Sequence, residues 1–220
     1  MLDLLQVQAQ SQVNSRRELL TTAALALAAT VSSVWLRPAI AQGKALHPTP
    51  SQAEGPFYPL TLPADHDFDL LQSGNTRYGQ GSPAWVEGTV TDTAGVAVAG
   101  ALVEIWQCDQ AGHYHHPGDG GRADPAFQGF GRVKVGRDGR YRFRTLRPAA
   151  YSGRTPHIHV KVRLDRQELL TTQLYVAGDP GNPRDFLWRS LNPTARAELT
   201  VPFVAGGDGV RAHFPIVVQA

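Results

Sequence analysis

The sequence predicts an all-β fold, an antiparallel β-sandwich with an irregular N-terminal arm. Three observations predict it. Short alternating apolar runs recur from Trp85 onward, turn signals rich in Gly, Asp and Pro separate them, and helix is scarce, with residues 194–199 offering a turn or two.

In chain order, the first 41 residues read as a targeting segment. Ser15-Arg16-Arg17 opens an uncharged run over residues 19–36, and Ala39-Ile40-Ala41 follows. Charge, apolar run and A-x-A site are the layout of a secretory signal. Paired arginines after a serine mark the twin-arginine type. That route predicts cleavage after Ala41, an extracytoplasmic location and no stable membrane association afterwards. An uncleaved anchor is the alternative, because the 18-residue run lies near the lower limit for a membrane helix.

Residues 42–83 form the predicted arm. The stretch from Thr49 to Pro59 is too proline-dense for a helix or a central strand. Residues 84–220 form the predicted sandwich. Residues 85–91 alternate as a strand and turn at 92–95, and residues 101–106 make the next strand. Residues 131–135 and 140–145 flank Gly136-Arg137-Asp138-Gly139, and Asp-Gly between alternating runs reads as a hairpin. Residues 157–164 and 170–176 read as a further strand pair, and residues 214–218 as a closing edge.

Composition narrows the function classes. The leader holds Arg16, Arg17, Arg37, Asp3 and Glu18, so the formal charge of +2 falls to about +1 without it. No basic tract remains, which argues against nucleic acid as a partner. All eight histidines lie after the leader. The single cysteine, Cys108, excludes an intramolecular disulfide and a cysteine-based zinc site. It follows a strand-like run and reads as a buried, inert thiol.

Three groups of residues could carry chemistry. In Pro156-His157-Ile158-His159, a strand places His157 and His159 on one face and Ile158 on the other. Two imidazoles so placed can share a metal, or they can line a solvated strand face. Gly112-His113-Tyr114-His115-His116-Pro117 offers further donors or a bland polar loop. Tyr151 precedes His157 by six residues. Ionised tyrosine needs its pKa lowered by several units from about 10, and a trivalent cation supplies that drop. Iron(III) suits imidazoles with phenolates in a site without thiolate, while zinc stays open from the histidines alone.

Taken together, several stretches resemble the intradiol ring-cleavage dioxygenases, the protocatechuate and catechol dioxygenase family. The similarity runs through most of residues 49–188. It is carried by the run Pro50 to Pro59, Val103-Glu104-Ile105-Trp106-Gln107 leading to Gly112-His113-Tyr114, and Phe130-Gly131-Arg132. Asp138 to Thr145, Gly153-Arg154-Thr155-Pro156-His157-Ile158-His159 and Thr172-Gln173-Leu174-Tyr175 complete it. Each stretch is weakly specific alone; their order and spacing make the signal.

The resemblance implies Fe(3+) held by Tyr114, Tyr151, His157 and His159. It implies that Tyr151 is the axial phenolate released when substrate arrives, and that Arg154 and Gln173 flank the substrate. Arg154 is expected to stabilise negative charge developing on the ring. The implied substrates are a small aromatic diol and O2, and the product a cis,cis-muconate-type diacid. His113, His115 and His116 match no family ligand and are expected to be loop or rim residues. The segment between Tyr151 and His157 is shorter than in larger members and resembles the short, single-domain ones. A homo-oligomer is also expected by analogy.

Two rival readings remain. The strand motifs also resemble transthyretin-like (prealbumin-like) or carboxypeptidase-regulatory modules, which bind partners and do no chemistry, and fold alone cannot separate these. A zinc hydrolase using His157 and His159 would need a third ligand and a general base, and no H-E-x-x-H motif is present. The substrate is not readable; Arg122, Arg132 and Arg147 are candidates to meet a carboxylate or are simply solvated.

Overall fold

The structure, a computed structural model, describes residues 45–220; the expected leader lies outside the described residues. Twelve strands are described: β1 (Gln72–Ser73), β2 (Thr76–Arg77), β3 (Pro83–Asp92), β4 (Leu102–Trp106), β5 (Phe130–Lys134), β6 (Arg140–Leu146), β7 (His157–Leu164), β8 (Gln167–Val176), β9 (Thr200–Val201), β10 (Val204–Gly206), β11 (Gly209–His213) and β12 (Ile216–Val218). Two short helices, α1 (Phe186–Ser190) and α2 (Pro193–Leu199), lie between β8 and β9. No helix among the described residues is long and apolar enough to cross a membrane.

The fold is mostly β, as expected. Apart from the β1–β2 pair, the strands make two five-stranded sheets. One runs β10-β11-β3-β12 with β6 also on β3; the other runs β5-β4-β7-β8-β9. Alternation explains the core. Ala84, Val86 and Val90 of β3 are buried, and so are Tyr141 and Phe143 of β6. From the second sheet come Val103 and Ile105 of β4, Ile158, Val160 and Val162 of β7, and Leu170 and Leu174 of β8. Side chains of both sheets meet in one apolar cluster, and each large one that is fully buried contributes roughly 1.5–3 kcal/mol.

Two expectations need correction. The predicted 131–135/140–145 hairpin does not form. β5 pairs with β4 and β6 pairs with β3, so the two strands lie in different sheets. The turn itself exists, with Gly139 at φ +74° and its N–H donating to Gly136 O at 3.1 Å. An Asp-Gly turn reverses the chain but does not dictate which strand edge receives the returning segment. The sheets are also mixed rather than purely antiparallel: β11 and β12 run parallel to β3, and β9 runs parallel to β8. The 157–164 and 170–176 pairing and the C-terminal edge strand are found as expected.

The arm is irregular except for β1, β2 and the first residue of β3, and it ties both sheets together. Thr49 N–H donates to Val217 O on β12 at 2.9 Å, and Gln52 N–H donates to Thr171 O on β8 at 2.9 Å. Thr172 Oγ1 donates to Pro50 O at 2.7 Å. Tyr58 OH donates to Glu104 Oε2 at 2.8 Å. The arm thus passes from β12 by β8 and then crosses the outer face of the second sheet, the face away from the core, where Tyr58 meets Glu104 and the candidate site lies.

Candidate metal centre

His157 and His159 open β7 on its outer face, while Ile158 between them enters the core. Both histidines are 1% exposed. The ring of His159 stacks on Trp106 of β4, 4.8 Å between centroids and 10° from parallel. The sheet register places Trp106 directly opposite His159.

Tyr114 arrives on the loop after β4. Asp109 organises that loop: its Oδ1 accepts from the Ala111 and His113 amides at 2.9 Å, and its Oδ2 accepts from Asp124 N–H at 2.9 Å. Asp119 Oδ2 accepts from the Tyr114 amide at 2.9 Å. Gly112, at φ +86°, lets the loop pass close to the Tyr151 segment. A Cβ there would sit 3.0 Å from Ala150 O and 3.2 Å from Tyr151 Cβ. Tyr151 begins a tight turn through Ser152 (φ +38°) and Gly153 (φ +78°), closed by Arg154 N–H donating to Tyr151 O at 2.6 Å.

The four side chains close into a ring of neighbours. Centroid separations are 5.1 Å for Tyr114–Tyr151, 5.4 Å for Tyr151–His157, 4.8 Å for His157–His159 and 6.1 Å for His159–Tyr114. Phe57 of the arm stacks on Tyr114 at 4.6 Å. Gly55, at φ +77°, brings the arm backbone to the edge of His159, where a Cβ would lie 3.2 Å from Cε1.

The polar atoms of this cluster fit a cation. His157 Nδ1 lies 2.7 Å from Thr155 O, and a carbonyl only accepts, so Nδ1 carries the proton and Nε2 presents a lone pair. His159 Nε2 lies 3.2 Å from that lone pair. His159 Nδ1 and the Tyr114 hydroxyl are buried without a partner, so either placement of the His159 proton leaves a buried polar atom unsatisfied. Burial first, then the Arg154 charge, pushes His157 down to about 4. Burial, the neighbouring His157 and Arg154 push His159 well below its usual value. Burial raises both tyrosines; at Tyr114 the neighbouring Tyr151 adds to it, and at Tyr151 the Arg154 charge opposes it. Two neutral imidazoles and two neutral phenols therefore face one another, and a hard or borderline cation would ionise the phenols and take the facing Nε2 lone pairs. Among the described residues, no group of three His, Cys, Asp or Glu assembles that could hold a metal without the phenols.

Arg154 and Gln173 stand beside the cluster and touch each other: Arg154 Nη2 donates to Gln173 Oε1 at 2.6 Å. Gln173 lies opposite His159 across the β7–β8 ladder, and its Nε2 donates to Ala53 O of the arm at 2.9 Å.

Three further histidines serve the loop that carries Tyr114. His113 Nδ1 is 3.2 Å from Asp119 Oδ2, His115 Nε2 is 2.6 Å from Phe127 O, and His116 Nδ1 accepts from Gly118 N–H at 3.0 Å. Cys108 is buried, and its thiol is pushed up to about 12, by burial above all. Two clefts flank the cluster. One of about 470 Å³ is lined by Phe57, Trp106, Tyr114 and His115, and one of about 390 Å³ by Tyr151, Arg154 and Arg184. Arg122, Arg132 and Arg147 line neither; Arg122 pairs with Asp119 and Arg132 with Glu104.

Sequence reasoning missed three contributors. Phe57 and Trp106 sit inside motifs it singled out, but nothing local said they would pack on the rings of Tyr114 and His159. Asp185, whose Oδ2 accepts from Arg154 Nε at 2.7 Å, lies in a segment to which no motif drew attention.

Comparison with known proteins gives the family. A family model described as Dioxygenase matches residues 53–220. The protocatechuate 3,4-dioxygenase beta chain of Burkholderia cepacia is 37% identical over 173 residues, covering 71% of this chain and 72% of that one. Catechol 1,2-dioxygenase 1 of Acinetobacter lwoffii is 34% identical over 172 residues, 70% of this chain and 53% of that protein, so the chain spans about half of that relative. Among solved structures, the dioxygenase domain of a dioxygenase carbohydrate-binding protein fusion from Streptomyces sp. SirexAA-E superposes with a TM-score of 0.64 at 33% identity. That match covers 79% of this chain and 99% of the domain. The chain therefore belongs to the intradiol ring-cleavage dioxygenases, a family of oxidoreductases.

Proposed function

We propose that this protein is an iron(III)-dependent dioxygenase that splits a catechol-type diol between its hydroxyl-bearing carbons, using O2 and yielding a cis,cis-muconate-type diacid. The observation that carries the proposal is the closed ring of Tyr114, Tyr151, His157 and His159, with its two facing Nε2 atoms and the buried, unpartnered Tyr114 hydroxyl. Iron(III) bound there would supply a Lewis acid and a template for the diol.

The residues divide the work. His157, with its proton fixed on Nδ1 by Thr155, offers Nε2 as a ligand. Tyr114, 2% exposed and clamped between Phe57 and the loop, suits a permanent phenolate. Tyr151 is partly exposed, stands on a tight turn and lines an open cleft, so of the two phenolates it would be the one more readily released and could accept a proton given up by a diol hydroxyl. Arg154 holds a fixed cation beside the cluster, where charge developing on the ring would meet it. Phe57 and Trp106 keep water from the ligand rings.

The two-sheet architecture is read here as a transthyretin-like sandwich. The twin-arginine pattern supports export, and a homo-oligomer is proposed by family analogy alone. The test is oxygen uptake by the iron-loaded protein lacking residues 1–41, with a panel of diols and product identification. The proposal expects oxygen consumption matched by a muconate-type diacid. Full iron loading with no oxygen consumed on any diol would refute it.

A further inference from the structure

We propose that Asp185 is a positioning residue that aims the Arg154 guanidinium at the substrate and anchors Thr155, the residue whose carbonyl orients His157. The inference rests on the reading that Arg154 faces the diol.

The side chain of Asp185 is fully shielded from solvent and that of Arg154 nearly so. Both carboxylate oxygens are used, and they do different things. Oδ1 accepts from the Leu187 and Trp188 amides at 2.9 and 3.0 Å, capping α1. Oδ2 accepts from Arg154 Nε at 2.7 Å and from the Thr155 amide at 2.9 Å. The Thr155 carbonyl, on the other side of the same residue, accepts from His157 Nδ1 at 2.7 Å. One oxygen therefore anchors the helix, while the other sits at a junction between the cluster's cation and the backbone behind one of its imidazoles.

Arg154 is held from a second side. Its Nη2 donates to Gln173 Oε1, which also accepts from Tyr175 OH at 3.1 Å. That single Tyr175 proton is shared with Gln52 Oε1 of the arm, at the shorter distance of 2.8 Å. With Nε on Asp185 and Nη2 on Gln173, the planar guanidinium has its orientation fixed at two edges, beside the hydroxyls of Tyr151 and Tyr175. Arg154 is also close enough for its charge to act on all four proposed ligands. The Asp185 carboxyl stays below the usual carboxylate range. Burial opposes that charge, but the Trp188 amide, Arg154 and the Thr155 amide outweigh it.

The division of labour between the two oxygens makes the role separable from stability. In Asp185→Asn, the remaining amide oxygen still caps α1, since Asn caps as well as Asp. The new NH2 group, however, meets the Arg154 Nε–H and the Thr155 N–H donor to donor. Arg154 must turn away while the helix stays capped. Asn192→Ala serves as the opposite control. It removes the α2 cap on Ala195 N–H, a 2.8 Å bond, and touches no part of the Arg154 network.

The experiment compares wild type, Asp185→Asn and Asn192→Ala, each iron-loaded, for kcat and KM on catechol, with thermal midpoints and a crystal structure of Asp185→Asn. The expected result is a loss in kcat of roughly 10- to 100-fold for Asp185→Asn, the range seen when an outer partner is lost. Its thermal midpoint should stay near wild type and its KM should change less than kcat. Asn192→Ala should show a lower midpoint with kcat unchanged. An Asp185→Asn enzyme within twofold of wild type in kcat would overturn the proposal. So would a structure in which Arg154 has not moved, a result readable even if no diol proves to be a substrate. Wild type inactive on every diol would count against the proposed function instead, with the Arg154 position still deciding the role of Asp185.

Discussion

The two faces of the second sheet are built from the same strands and do opposite things. On the inner face, Val103, Ile105, Ile158, Val160 and Leu174 join the apolar core. On the outer face, Glu104, Trp106, His157, His159, Lys161 and Gln173 are equally buried, yet most of them are polar or charged. The inner face is covered by the other sheet, the outer by the arm. An arm of irregular backbone brings its own donors and acceptors, so it can cover a polar face that another sheet could not. Lys161 pairs with Glu54 of the arm and with Glu168, and its ammonium lies 3.9 Å from the centroid of Tyr58. Glu104 accepts from Arg132 Nε at 2.8 Å as well as from Tyr58. The period of two thus separates stability from chemistry residue by residue.

Substitutions on the two faces should break different things. The largest effect is expected from His159→Ala. It should lose more activity than the 10- to 100-fold typical of an outer partner, with iron content falling and the urea midpoint no lower than that of metal-free wild type. Ile105→Ala, one residue from Trp106 but pointing into the core, should cost about 2–5 kcal/mol in urea unfolding. Its iron content and KM should be unchanged while it stays folded. If Ile105→Ala loses iron at full folding, or His159→Ala binds iron normally, the separation of faces is wrong.

Acid should sharpen the contrast. In the metal-free protein His157 is held neutral, with its pKa down to about 4 against 6.5 when unfolded. The unfolded chain then binds the extra proton first as pH falls, so stability present above pH 6.5 is lost on the way to pH 4, by on the order of 3 kcal/mol. The same descent weakens metal binding, because protons compete for the imidazoles. A flat metal-free stability profile between pH 6.5 and 4 would contradict this. The smallest effect is expected from Tyr58→Phe, which removes one donor from the buried Glu104 carboxylate while Arg132 remains. It should cost roughly 1.5 kcal/mol and increase protease cleavage within residues 45–60, a region that should otherwise be protected.

Much of this was legible in the sequence, and the gaps have a physical pattern. Alternation located β3, β4, β7 and β8 and put His157 and His159 on one face, because side-chain direction is a local property. Tyr114 and Tyr151 stood out as possible donors, but only the resemblance assigned them to one metal site, since nothing local brings two loops beside one strand. The β5–β6 hairpin was misread because strand pairing is a long-range choice that a turn does not encode. Glu104 within Val103-Glu104-Ile105 reads as a solvent-facing position; the arm, more than forty residues away, buries it. Asp185 shows the same limit: its cap was local, its hold on Arg154 was not.

The most direct test of the central claim, four side chains around one iron(III), is optical titration of the metal-free protein with ferric iron. Wild type should develop a visible tyrosinate-to-iron band that saturates at one iron per chain and shifts when catechol is added. Tyr114→Phe and Tyr151→Phe should each weaken it. A wild-type protein that binds one iron(III) and stays colourless, or a band untouched by both substitutions, would contradict the account.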